Sequence, residues 1–272
     1  MTMQAYNLMI KTNHFLIKGG ILTQQQKLRA AASFLSAVST LQQAQRFYKG
    51  MRVPDNKADG REMYPVFFVP PYNDGKKLRT ILNQTPLTHI LSANTYELEI
   101  IRLLCLLAPE DDRVRDMTAK TLSRLKTTCF GNQDDGVGEC FDASLVVLRF
   151  LAAAAPADAV WLQSRMDNYN RHAGEKKRPW FSEWYYWLCL SELPFELAQP
   201  ELDKYKPVML NWLEHKSCVM NSEQDKLIHP VILCILRNAL SRYPEFAYIK
   251  NRQPYVSETD GRLHFNMEAE YE

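Results

Sequence analysis

Helical periodicity over residues 88–243 is the feature that most constrains the fold of this chain. Apolar residues recur there at helical spacing in segments separated by short connections. The predicted helices span about residues 88–107, 110–128, 137–154, 157–172, 180–192, 199–215 and 226–243. Near their ends stand Pro109, Pro156, Pro194, Pro200 and Pro230, while Pro207 lies within 199–215 and predicts a kink or a late helix start. We therefore expect an all-α array of antiparallel helical hairpins, HEAT-like or α/α-type.

The flanking segments complete this prediction. Residues 4–18 are predicted to form a first helix stopped by Gly19-Gly20, and Thr23 and Gln26 have capping-box spacing before a helix over Gln24 to Tyr48. Helical structure should resume at about residues 75–83 and continue into the array. Residues 51–75 hold four prolines and two glycines, which predicts an extended insertion. Alternation around Asp260-Gly261 predicts a small C-terminal β-hairpin.

We expect one continuous domain with three parts. These are the N-terminal helices plus an extended strap (1–75), the helical-hairpin array (76–250), and the C-terminal hairpin and tail (251–272). The length of 272 residues is ample for a core without metal or disulfide staples.

Charge and cysteine usage narrow the class of protein. The net charge of +2 gives no broad basic field of the kind that gathers phosphates. The six cysteines form no CxxC pair, and several lie in apolar runs, which favours a reducing cytosol. No run reaches the roughly 18 to 20 apolar residues that cross a bilayer. We expect a soluble cytoplasmic protein that is not bound to a membrane.

An acidic turn before the predicted helix at 137–154 is the first candidate site. Asp134 and Asp135 precede the helix, and Glu139 and Asp142 share one of its faces. Such carboxylates cap a helix N-terminus and offset its dipole, which is the structural interpretation. Alternatively, Asp135, Glu139 and Asp142 converge on a cavity and act as an acid and base pair, since like charges held close raise one carboxyl pKa.

Cys140 in the same turn is a weaker candidate. A thiol near a helix N-terminus has a lowered pKa and would need a histidine beside it to act as a nucleophile. Nothing in the sequence selects that histidine, so a structural cysteine is the default.

The segment FGNQDDGVGECFDASLVVLRFLAAAAP, residues 130–156, resembles the glycine-rich, acid-bearing turns that begin inner helices in α/α-toroid proteins. Terpene cyclases and protein prenyltransferase β-subunits have that architecture. The resemblance covers about 25 residues. It implies an enzyme acting on a carbohydrate or isoprenoid-like substrate.

A basic and aromatic segment, RHAGEKKRPWFSEWYYWLCLSEL, is the second candidate site. Trp180, Trp184 and Trp187 lie on one helical face, directly after Lys176, Lys177 and Arg178. The structural interpretation is an aromatic core face beside a solvated loop. The functional one is a binding surface, because tryptophan, tyrosine and arginine are enriched where proteins bind partners and aromatic rings stack on bases.

Motifs of common enzymes are missing from the sequence. It contains no GxxxxGK[ST] phosphate loop, GxGxxG, HExxH or GxSxG, so we expect no cofactor and no metal site. We therefore favour a cytosolic helical-repeat-like interaction or adaptor protein without catalytic activity, which binds a protein partner. The alternatives are the α/α-type enzyme using the 134–142 turn and a HEAT-like protein that binds nucleic acid.

Overall fold

The computed structural model describes residues 3–38, 78–86, 89–127, 129–132, 141–173 and 183–268. These residues are mostly helical, with one small antiparallel sheet near the C-terminus. The α-helices are α1 (Met3–Ile17), α2 (Gln24–Ala37), α3 (His89–Leu107), α4 (Asp112–Thr127), α5 (Cys129–Asn132), α6 (Ser144–Ala154), α7 (Ala159–Ala173), α8 (Glu183–Glu192), α9 (Phe195–His215) and α10 (Glu223–Leu240). A 3₁₀-helix (Pro244–Ile249) and strands β1 (Tyr255–Val256) and β2 (Leu263–His264) follow.

The chain divides into two compact units. The first unit comprises residues 1–11 and 22–181, and the second comprises residues 12–21 and 182–272. The predicted helical character and the C-terminal hairpin are thus confirmed, while a repeating arrangement of the helices stays a prediction. The extended insertion predicted at 51–75 lies outside the described residues.

In the first unit, α3 packs against α2, α4 and α6, and α6 also packs against α7. Residues 144–151 of α6 are all buried, which agrees with the apolar run in the sequence. One buried ion pair joins the two central helices: Arg149 of α6 donates from Nη1 to both carboxylate oxygens of Glu99 on α3, at 2.7 and 2.8 Å.

In the second unit, α10 packs against α8 and α9. Its N-terminus carries a capping box, in which Ser222 Oγ accepts from the Asp225 amide and the Asp225 carboxylate accepts from the Ser222 amide. Just past its end, the Arg242 guanidinium donates to the carbonyl oxygens of Leu190 and Leu193, each at 2.6 Å. The end of α8 is thereby fixed to the end of α10.

Three predicted helices differ from the structure. The helix predicted from Gln24 to Tyr48 has the expected capping box at Thr23 but ends at Ala37, where Val38 has extended backbone. Val38, Ser39 and Thr40 are weak helix formers, which accounts for the early end.

The helix predicted at about 75–83 is wrong over the described residues 78–83, which form a turn. There the Thr80 amide donates to the Gln84 carbonyl, the Asn83 amide donates to the Thr80 carbonyl, and Asn83 has φ 63°. Its apolar residues are buried at helical spacing, so the pattern alone suggested a helix.

The helix predicted at 199–215 begins earlier than expected. It starts at Phe195, with Pro194 as its N-cap, and continues through both Pro200 and Pro207. The prediction that Pro200 lies near an element end is therefore wrong, and Pro230 likewise lies inside α10. Each internal proline removes one backbone hydrogen bond. Packing of α9 against α8 and α10 offsets that loss, because most helical stability in proteins comes from tertiary contacts.

Candidate interaction surface

The predicted catalytic turn is only partly described. Asp135 and Glu139 lie outside the described residues, as does Cys140. Asp142 is half-buried just before α6. Next to it, the buried Phe141 ring contacts the His172 ring edge-to-face, with centroids 5.4 Å apart. The catalytic role of the turn thus stays a prediction.

The predicted aromatic surface is mostly core where it is described. Lys176, Lys177, Arg178 and Trp180 lie outside the described residues. Trp187 is 2% exposed, and Tyr185 to Leu190 are all buried because α8 packs against both α9 and α10. Trp187 is therefore a packing residue in this structure, which corrects its assignment to a binding surface. Trp184 is half-buried and contacts Trp187 edge-to-face at 4.9 Å.

Trp212, which was not among the residues predicted from the sequence, also contacts the Trp184–Trp187 pair. Trp212 on α9 is half-buried and contacts Trp184 edge-to-face at 5.1 Å. The Lys216 ammonium lies 5.9 Å from the Trp212 ring centroid. Trp212 lies within the predicted helix 199–215, but spacing along one helix cannot reveal a partner on another. Trp184 and Trp212 thus form a half-buried aromatic pair between α8 and α9.

Four basic residues of α4 are paired with carboxylates. Arg113 pairs with Asp111 at 3.3 Å, Arg115 with Glu110 at 3.1 Å, Lys120 with Asp116 at 2.7 Å and Lys126 with Asp158 at 3.3 Å. Such pairs neutralise the field that a phosphate backbone would need. Charges of both signs therefore line α4, and these four pairs do not form a continuous basic stripe.

The C-terminal strands and one neighbouring segment form a surface element, here called the ribbon: residues 216–219, 255–257 and 262–264. Strand β1 pairs antiparallel with β2, with Tyr255 opposite His264 and Val256 opposite Leu263. On the other side of β2, Cys218 and Leu263 exchange both backbone hydrogen bonds, each 2.9 Å long. The ribbon therefore has β2 in the middle and β1 at one edge.

The pairing determines where the backbone of Val256 points. In a β-strand, the N–H and C=O of any one residue point toward the same neighbouring strand. Both groups of Leu263 point toward Cys218 and hydrogen-bond to it. Val256, opposite Leu263, thus occupies a non-hydrogen-bonded position, and its own N–H and C=O point away from β2. The bond from the Ser257 amide to the Arg262 carbonyl, at 2.9 Å, fits the same alternation. Among the described residues, nothing bonds to the Val256 backbone.

The two faces of the ribbon differ. Residues opposite one another share a face, so Cys218, Leu263 and Val256 lie on one side, where Cys218 and Leu263 are buried. The other side carries Tyr255 stacked on His264, with ring centroids 6.0 Å apart. Tyr255 is 50% exposed and Val256 is 56% exposed. The outer edge of the ribbon thus presents an aromatic side chain, an aliphatic side chain and free backbone groups together.

The turn between the strands is held by Asp260. Its carboxylate accepts from the Arg262 amide at 2.9 Å and contacts His264 Nε2 at 2.9 Å. The hydrogen bond from the Arg262 backbone, and then that from His264, holds the pKa of the Asp260 carboxyl below its ordinary value. Gly261 adopts φ 65°, a left-handed conformation that favours glycine. The turn is therefore fixed by local chemistry that the sequence shows.

The sequence predicted this hairpin but not its exposure. The alternating pattern of residues 253–267 predicts which side chains share a face. Whether Tyr255 and Val256 are exposed to solvent depends on how the hairpin packs on its unit. The functional candidate that sequence reasoning missed is thus the edge of β1. Its signal was an apolar pair directly after Pro254, a residue typical of edge strands.

Two other kinds of site are missing from the described ranges. No group of three or more His, Cys, Asp or Glu side chains there is arranged to hold a metal ion. None of the helices in those ranges has the length and apolar character needed to cross a bilayer. Comparison of the chain with protein-family models, curated proteins and solved structures gives no match.

Proposed function

We propose that this chain is a non-catalytic interaction protein that binds a protein partner through the edge of β1. The observation that carries the proposal is the exposed Val256, whose N–H and C=O point away from the ribbon. An extended segment can add to such an edge as a further strand, with main-chain hydrogen bonds supplying affinity. The neighbouring Tyr255 supplies a side-chain contact of the kind enriched where proteins bind one another.

Proteins normally block an open edge, and here the blocking is incomplete. Edge strands are commonly kept short and flanked by proline or charge. Pro254 precedes β1, and the turn begins after Ser257, so an incoming strand can pair only over about residues 254–258. Because so few residues of β1 can pair, the edge binds strands in general weakly, and specificity depends on contacts at Val256 and Tyr255.

The compartment and the tryptophan pair are secondary parts of the proposal. The four cysteines at 105, 189, 218 and 234 are free thiols, which fits a reducing cytosol. Trp184 and Trp212 offer a second, half-buried aromatic contact. No observation in the described residues favours the carbohydrate or isoprenoid enzyme or the nucleic-acid binder.

Site-specific photo-crosslinking tests the proposed function. A photoreactive amino acid replaces Tyr255 in the full chain, and adducts are identified by mass spectrometry in cells that express it. We expect protein adducts at position 255 that decrease at least about tenfold when Val256→Pro is added, because proline removes the outward N–H without removing a ladder bond. Tyr248, 41% exposed, is the control position for the photoreactive group. Equal crosslinking at positions 248 and 255, or crosslinking at 255 that does not change when Val256→Pro is added, would contradict the proposal.

A further inference from the structure

We infer that the strand that occupies the edge of β1 is β1 of a second copy of this chain, related by a two-fold axis that passes beside Val256. This inference rests on the proposed function, since it names the partner of the same edge. It concerns the interaction surface of the second unit and involves no other part of the fold.

Backbone geometry is the first argument. Val256 presents both a donor and an acceptor outward, and its nearest neighbours on that side are the Pro254 carbonyl and the amide of residue 258. Two antiparallel copies centred on Val256 pair each Val256 with the other, which gives two reciprocal N–H···O=C bonds. In the same register Pro254 lies opposite Glu258 of the other copy. The carbonyl of Pro254 then receives the amide of Glu258, and the missing N–H of Pro254 sets the end of the pairing.

Charge polarity along the edge is the second argument. Lys250 and Arg252 precede β1, whereas Glu258 and Asp260 follow it. An antiparallel copy brings the basic beginning of one edge toward the acidic end of the other, twice in the symmetric pair. A parallel copy would bring like charges together. The edge is thus electrostatically self-complementary in the antiparallel direction.

Side chains beside the axis are compatible with this register. Tyr255 of one copy lies opposite Ser257 of the other, so a large ring faces a small side chain. The apolar side chains of Tyr255 and Val256 both lose solvent exposure on pairing. Because a two-fold contact uses the same edge of both copies, it closes on itself and does not extend into a filament.

The size of the edge sets the expected strength. A pairing window of about five residues buries less than the roughly 1,200 Å² typical of stable complexes, so we expect a weak dimer that forms and dissociates with concentration.

Sedimentation velocity of the full chain over a range of protein concentrations, from micromolar to millimolar, is the test. We expect a shift from monomer to dimer as concentration rises. Val256→Pro should raise the dissociation constant about 30-fold, because two symmetric backbone bonds are lost. Pro254→Ala should lower it about tenfold, because each copy regains an amide donor opposite Glu258. A gain of affinity from Pro254→Ala is not expected from damage to the fold.

Charge variants test the antiparallel direction. Glu258→Lys should weaken the dimer several-fold, and this effect should shrink at high salt. Glu196→Lys carries the same charge change in the first turn of α9, at the opposite end of that helix from the ribbon, and should leave the dissociation constant unchanged. If Val256→Pro disrupts the ribbon as judged by amide exchange at Leu263, Val256→Lys replaces it as the edge-blocking variant.

The outcomes separate this inference from the proposed function. A chain that stays monomeric at millimolar concentration while position 255 crosslinks to a different protein overturns the second-copy inference and leaves the function standing. A dimer whose dissociation constant changes with neither Val256→Pro nor Pro254→Ala also overturns the inference. A monomer with no adducts at position 255 overturns both proposals.

Discussion

At the residue scale, Arg237 shows how one buried charge organises the second unit. Its guanidinium is 1% exposed and donates to the carbonyls of Ile17 and Arg252 at 3.1 and 2.7 Å and to Asn238 Oδ1 at 2.8 Å. The Ile17 carbonyl lies at the C-terminus of α1, the negative end of the helix dipole, which favours a cation there. Gly19, with φ 85°, ends the helix beside this guanidinium.

We predict that Arg237→Met destabilises the protein by about 3 kcal/mol, because buried carbonyls lose charged hydrogen-bond donors. Urea unfolding followed by circular dichroism measures the change. Arg113→Met, which removes a 69% exposed arginine side chain, is the control and should cost less than about 1 kcal/mol. Equal effects of the two substitutions would show that the Arg237 bonds contribute little.

At the element scale, the capping box of α10 couples helix stability to pH. Hydrogen bonds from the Ser222 side chain and backbone hold the pKa of the Asp225 carboxyl below its ordinary value. A lowered folded-state pKa means that the stabilisation is present above the unfolded pKa of about 4 and is lost as pH falls through the folded value.

We predict that Ser222→Ala raises the pKa of Asp225 toward its ordinary value and destabilises the helix by about 1 kcal/mol at neutral pH. Carbon-detected NMR titration of the carboxyl groups follows the pKa directly. Asp111, whose pKa is lowered by Arg113, is the internal reference and should not move. If Asp225 titrates identically in the variant, the cap is not the source of its lowered pKa.

At the scale of the whole molecule, each unit has its own core and at least one fully buried arginine. In the first unit Arg149 is 1% exposed and pairs with the equally buried Glu99. Removing one partner of a buried ion pair leaves the other charge uncompensated, which typically costs about 3–5 kcal/mol.

We predict that Arg149→Met accelerates amide hydrogen exchange in α3 and α6 more than in α10, because local opening follows the core that is weakened. Arg237→Met should produce the opposite distribution. Mass spectrometry of exchanged peptides resolves the two. Uniform acceleration over both units in either variant would indicate a single cooperative transition instead.

The sequence by itself determined the elements whose cause is local. The capping boxes at Thr23 and Ser222, the stop at Gly19 and the turn at Asp260-Gly261 depend on contacts within a few residues. Most helices were predictable for a related reason, since the spacing of apolar residues follows the side of the helix that is buried.

Only the tertiary structure decided which of these residues face solvent or belong to a core. Trp187 was predicted to bind a partner from its residue type and helical spacing, but it lies in the core because α8 packs against both α9 and α10. Pro200 was predicted to lie near a helix end and Pro207 to cause a kink or a late helix start, yet α9 continues through both because it packs against α8 and α10. Val256 was predicted only as part of a hairpin strand. Its N–H and C=O point away from β2 because Leu263 opposite it bonds to Cys218, which lies 45 residues earlier in the chain (263 − 218). Burial and pairing depend on contacts between distant segments, and no local pattern encodes those contacts.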